Sequence, residues 1–313
     1  MGLFIVLIRI KPMKKFLFLL PLLAIISCTD SDNPNKAEFN NNGCLVCDNY
    51  LAGESFIVAG VRYEVADRAI LETAIADGDD LTRYCTSRIG DMSSLFESNS
   101  NFNQDISSWD VSNVTNMGGM FAYAYAFNQD IGNWDVSGVT DMSNMFYFCW
   151  VFNQDISNWD VSGVTDMNGM FATAPAFNQN IGNWDVSNVT DMNSMFISAN
   201  TFNQDIGNWD VSNVTDMMGM LSMDSFNQDI SQWEVSNVTN MAGMFFEALA
   251  FNQDIGNWQV GNVTLMQNMF YGAIAFNQDL TQWCVSNPNL AYYEFSLGSG
   301  LSALNHPVWG TCP

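Results

Sequence analysis

The sequence predicts an α/β repeat solenoid with one short strand and one short helix in each unit, closed at its N-terminal end by a small α+β cap. Two observations predict it. Phe-Asn-Gln begins at Phe102, Phe127, Phe152, Phe177, Phe202, Phe226, Phe251 and Phe276, a spacing of 25 residues broken once by a spacing of 24. Seven residues beyond each of these stands a tryptophan: Trp109, Trp134, Trp159, Trp184, Trp209, Trp233, Trp258 and Trp283. Two bulky residue types locked in register over eight units describe a tandem array.

The chain opens on a segment that reads as a leader. Met13-Lys14-Lys15 followed by the apolar run Phe16 to Ile26 has the charge and length of a signal peptide and is too short to span a bilayer. Met13 is the expected true start, and residues 1–27 the removed segment. Ile25-Ile26-Ser27-Cys28 resembles the bacterial lipobox, which implies lipidation of Cys28 and a membrane partner reached through that anchor. Residues 28–55, polar and acidic over Thr29 to Asn42, are expected to form a tether.

An N-terminal cap follows over 56–80. Phe56 to Val65 reads as a hairpin, and Asp67 is placed to cap a helix from Arg68 to Ala76 that Gly78 closes. The repeats occupy 81–283, counting an atypical first unit that carries Leu81, Tyr84, Ile89, Met92 and Phe96.

Phe127 to Val151 represents one unit. Trp134 and Val136 alternate with period two, as in a short strand with both side chains inward. Asp141 would then cap a short helix, with Met142, Met145 and Phe146 on one face. A lone unit cannot bury that apolar surface, whereas stacked units can. At about 4.8 Å per strand, eight units would extend roughly 40 Å.

At these residues the chain resembles the BspA-like leucine-rich-repeat surface proteins, in the subfamily that repeats Phe-Asn-x-Asp-Ile-x-x-Trp-Asp-Val-x-x-Val-Thr-x-Met. The motif stands here from Phe127 through Asp130, Ile131, Trp134, Val136 and Val139 to Met142, and the likeness covers Leu81 to Pro313. It implies a leucine-rich-repeat-like fold on bacterial surfaces, a link to adhesion, and no established catalytic residue.

Residues 284–313 read as a degenerate C-terminal cap, in which Pro288, Ala291 and Glu294 replace apolar residues. Cys85 and Cys284 share one repeat register at opposite ends of the array. One disulfide in each cap is therefore expected: Cys284 with Cys312, and Cys85 with Cys44 or Cys47. Such bonds suit an extracytoplasmic compartment.

Composition narrows the function. The chain holds 9 Lys+Arg against 33 Asp+Glu, and no Lys or Arg follows Arg88. A surface so anionic repels phosphate backbones, which excludes nucleic acid as a partner. Beyond Arg88 the array has no histidine, lysine or arginine, and no nucleophile beside a base, so neither a catalytic residue nor an enzyme is expected.

Two kinds of site remain. Asp110, Asp135, Asp160, Asp185, Asp210 and Glu234 form a carboxylate ladder, a candidate for cations such as calcium or for a ligand. A second acidic column, beginning Asp105, Asp130 and Asp155, suits turn amides better. Tyr123 and Phe148 fill one variable slot in adjacent units and Tyr125 and Trp150 another, a candidate exposed aromatic patch. The expected protein is a surface lipoprotein of the bacterial envelope, exposed on the outer membrane, acting as an adhesin or ligand-binding scaffold for a surface protein or glycan. A purely architectural envelope protein and a calcium-dependent glycan-binding module are the alternatives.

Overall fold

A computed structural model describes residues 37–286 and 294–313. The leader, Cys28, Pro288 and Ala291 lie outside them. The described residues form a repeated domain with small sheets and few helices.

The N-terminal part holds most of the regular structure. Strands β1 (Glu38–Phe39) and β2 (Leu45–Val46) pair antiparallel. Strands β3 (Ser55–Val58) and β4 (Val61–Val65) form the expected hairpin. Helix α1 (Arg68–Asp77) starts where Asp67 accepts the Ile70 amide and ends at Gly78, whose φ of 75° suits glycine. Strand β5 (Tyr84–Cys85) adds parallel to β4. Cys47–Cys85 and Cys284–Cys312 are disulfides, while Cys44 and Cys149 are free and buried.

The tether assigned to 28–55 is corrected from Ala37 onward. Leu45 is fully buried, donates its amide to the Ser108 carbonyl at 2.8 Å, and bridges Trp109 in the array. Apolar Leu45 and the disulfide at Cys47 give this segment enough buried surface to fold.

Within the repeats the strand and helix expected in each unit are replaced by overlapping turns. In the unit Phe127 to Val151 the amides of Met145, Tyr147 and Cys149 bond to carbonyls three residues back, at Met142, Asn144 and Phe146. The intervening amides of Met142, Asn144, Phe146 and Phe148 bond outward, to Asp166, Asn168, Met170 and Ala172 of the next unit. A helix would use every amide internally, so it cannot make this ladder. Asn144 (φ 55°) and Phe148 (φ 58°) stand in the left-handed region, which redirects the alternate amides. Trp134-x-Val136 likewise turns: the Trp134 amide bonds to Ile131 and the Val139 amide to Val136. Parallel bridging between units runs instead through Asp91, Asn116, Asp141, Asp166, Asp191, Asp216, Asn240 and Leu265.

Side chains extend the ladder. The indole of Trp159 donates to the Ile131 carbonyl of the preceding unit at 3.1 Å. Gln154 reaches the Asn128 carbonyl, while the Asn128 side chain accepts the Asn153 amide. The Asn188 amide group donates to the Ser162 carbonyl at 2.8 Å, so its Asn-x-Thr pattern belongs to the ladder. Phe121, Phe146, Phe171 and Phe196 stack 5.6 to 5.7 Å apart in the core. In the 24-residue unit Leu221 interrupts that column, and Met223, 2% exposed, lies buried in the same unit.

Candidate functional site

Aspartates of the repeats enter three columns, and each column shapes backbone before it offers charge. In the first, Asp160 accepts the Ser162 amide at 3.1 Å and its hydroxyl at 2.6 Å. Asp110, Asp135, Asp185, Asp210 and Glu234 accept the amide two residues on in the same way. The serine hydroxyl and amide hold the carboxyls of Asp160, Asp185 and Asp210 below the ordinary carboxylate value. Asp110 is set apart: at 3% exposure it is buried, and its charge, after burial itself, helps push the Cys44 thiol to about 11.

The second column, Asp105 through Asp279, caps turns in the same manner, as at Asp155 and Ser157. The third is the bridging column, where Asp141 accepts the Ser143 amide two residues on rather than opening a helix. Here Asp166 is half-buried. Burial first, then Asp191 and Asp141, raises its carboxyl above the ordinary value. Among the described residues no three His, Cys, Asp or Glu side chains group so as to hold a metal ion.

The variable slots converge more tightly than the acids. Tyr125 and Trp150 stack with centroids 4.3 Å apart, and Trp150 is 48% exposed. Tyr123 stacks on Phe148 at 5.1 Å, and Tyr147 meets both edge-on, at 5.1 and 4.7 Å. Five rings from two adjacent units therefore make one patch, in which Tyr123 and Phe148 hold left-handed backbone that bulky residues rarely adopt. A hydrogen bond that Tyr123 donates to Tyr147, then burial, then the charges of Tyr147 and Glu97 raise the Tyr123 phenol.

Beside the patch runs an open groove of about 400 Å³. Its hollow exists because Gly118, Gly119 and Ala122 are small, while Glu97 and Tyr147 rise in the equivalent slot of the units on either side. Tyr147, Glu97 and Asn144 went unrecognised in the sequence. The signal available was the run Glu97, Ala122, Tyr147 at 25-residue spacing, a large–small–large series that stacking turns into a trough. Elsewhere in that part of the surface Leu249 and Ile274, in the slot of Tyr125 and Trp150, are also exposed.

The chain matches, over residues 68–162, 148–223 and 205–305, the model of a family described as "Mycoplasma protein of unknown function, DUF285". No curated protein and no solved structure matches it.

Proposed function

The chain belongs to this family of Mycoplasma proteins of unknown function, DUF285, and we propose that it is a non-catalytic binding scaffold displayed on a bacterial surface. The stacked units, on this reading, form a solenoid of the BspA-like kind, with the cap at one end and a binding surface on its flank. The carrying observation is the patch of Tyr123, Tyr125, Tyr147, Phe148 and Trp150, with Trp150 half exposed although every tryptophan of the repeated core column is buried. Five rings gathered where neighbouring units carry small or polar residues are a mark of an interaction surface. Each carboxylate column already serves its own turns, which supports a structural role for it and leaves binding to the aromatic patch.

The anchor completes the proposal. Lipidated Cys28 would hold the folded part outside the cell, where the two disulfides are stable. Two experiments test these parts. Full-length protein is applied to an array of host proteins and glycans, with Trp150→Ala and Tyr125→Ala expected to lose most of the retained signal. Retention unchanged by both substitutions rejects the patch as the binding surface. Cys28→Ala is expected to release the protein into the medium, and unaltered membrane association of that variant rejects the anchor.

A further inference from the structure

We propose that the groove between Glu97 and Tyr147 captures lysine or arginine side chains of a basic polypeptide, which names the ligand class of the binding surface proposed above and rests on that reading.

The chemistry lies in how the walls differ. On one side stands the exposed carboxylate of Glu97, and on the other the rings of Tyr147 and Tyr123. Asp141 adds a second carboxylate along the groove, with Asn116 beside it. An ammonium or guanidinium placed there meets aromatic faces and negative charge together. An anionic ligand would be repelled by the same groups, and a neutral one could hydrogen-bond to Glu97 but would gain no charge attraction from it.

The chain itself shows the charge half of this pairing one unit away. Arg68 of α1 places its guanidinium on the side chain and carbonyl of Asp91, the first member of the column that contains Asp141, and on the carbonyl of Ser93 at the groove's rim. Arg68 is fully engaged by these groups and by Glu72 at 2.7 Å. No Lys or Arg follows Arg88, so no later side chain of the array competes for the groove. The field of the whole repeat region would steer a basic partner towards it.

Binding of full-length protein to a decalysine peptide, to free lysine amide and to a neutral hexasaccharide tests the inference by titration calorimetry. Decalysine is expected to bind with an affinity that falls as salt rises, and to outbind lysine amide. Glu97→Gln and Tyr147→Leu should each weaken it by about fivefold, in line with one lost cation–π or charge contact. Asp210→Asn, far along the array, should leave it unchanged. Equal weakening by Asp210→Asn would mean diffuse attraction and overturn the site, as would binding indifferent to Glu97→Gln. A hexasaccharide bound in place of decalysine, and lost in Tyr147→Leu, overturns the cationic assignment while leaving the binding-scaffold reading in place. Binding by none of the three probes overturns the inference, and the array experiment then decides the scaffold reading separately.

Discussion

Arg68 donates from its guanidinium to the Ser93 carbonyl at 2.7 Å and to the Asp91 carbonyl at 3.1 Å. In the following units the equivalent carbonyls accept amides from the unit before: Asp141 takes the Met117 amide and Ser143 the Gly119 amide. Arg68 therefore occupies the place of a missing unit, and one planar group satisfies two carbonyls at the open end of the ladder. Arg68→Met should lower stability by about 1–2 kcal/mol, since charged hydrogen bonds are lost but the site is partly solvated. Arg68→Lys should recover little, because a single ammonium cannot bridge both carbonyls. Urea unfolding of the three proteins measures the difference. A lysine variant as stable as the parent would show that charge alone matters here.

Asn144 decides between a helix and the observed turns. Its φ of 55° is left-handed, a region that glycine enters without strain. Asn144→Gly should be neutral or slightly stabilising, whereas in a helix the same change would cost about 0.3 kcal/mol. Asn144→Val should destabilise by about 1–2 kcal/mol, since a branched Cβ is worst in that region. Thermal midpoints of the pair, ordered glycine above valine with the parent near glycine, would agree with turns. Loss of stability in the glycine variant would return the unit to a helix.

The sign of that prediction was written in the chain. The Asn144 slot reads Gly119, Asn144, Gly169, Ser194, Gly219, Gly243 and Asn268, a series of residues that tolerate positive φ and weaken helices. The apolar pattern alone misled, because Met142, Met145 and Phe146 fall on one side both in a helix and in successive three-residue turns. Large side chains were the legible part: Trp134, Val139, Met142 and Phe146 are buried as their register implies, and so are Trp159, Val164, Met167 and Phe171 of the next unit. The disulfide of Cys284 with Cys312 followed from register, whereas the choice of Cys47 over Cys44 depended on how β2 docks against Trp109. The groove needed three units read across rather than one read along. Its depth comes from Ala122 lying between Glu97 and Tyr147, a relation that no single unit contains.

Cys47 and Cys85 join β2 to β5 across 38 residues of sequence. The segment that carries Cys47 is tied besides by the Leu45 amide on Ser108, the Cys47 amide on the Ser87 hydroxyl, and the Arg88 guanidinium on the Asp48 and Tyr50 carbonyls. Closing a loop of that size is worth about 3–4 kcal/mol in the chain-entropy account. A Cys47→Ser, Cys85→Ser variant should lose that amount from the cap alone, because a repeat array opens locally rather than as one body. Hydrogen exchange should then quicken at Leu45 and Cys47 while the amides of Met167 and Phe171, deep in the array, keep their protection. Equal acceleration at both places would make the disulfide a determinant of the whole array.

Asp166 offers a prediction with a definite pH sign. It lies between Asp141 and Asp191 in the bridging column, and burial, followed by those two charges, raises its carboxyl above the ordinary value of 3.8. A carboxyl raised in the folded state favours folding when protonated, so its contribution is complete below 3.8 and is lost as pH climbs through the raised value. At neutral pH the ionised group is thus a net cost. Asparagine already serves in this column at Asn116 and Asn240, where the side-chain oxygen accepts the amide two residues on and Asn240 also donates to Asp216 at 2.9 Å. Asp166→Asn should keep the bond from the Asn168 amide and remove both repulsions. A gain of about 0.5 kcal/mol is expected at pH 7 and low salt, shrinking in high salt as the charges are screened and vanishing near pH 3. Thermal midpoints of parent and variant across that range measure it. A variant less stable at pH 7, or a gain that persists at pH 3, would mean that the carboxylate contributes something besides repulsion to the column.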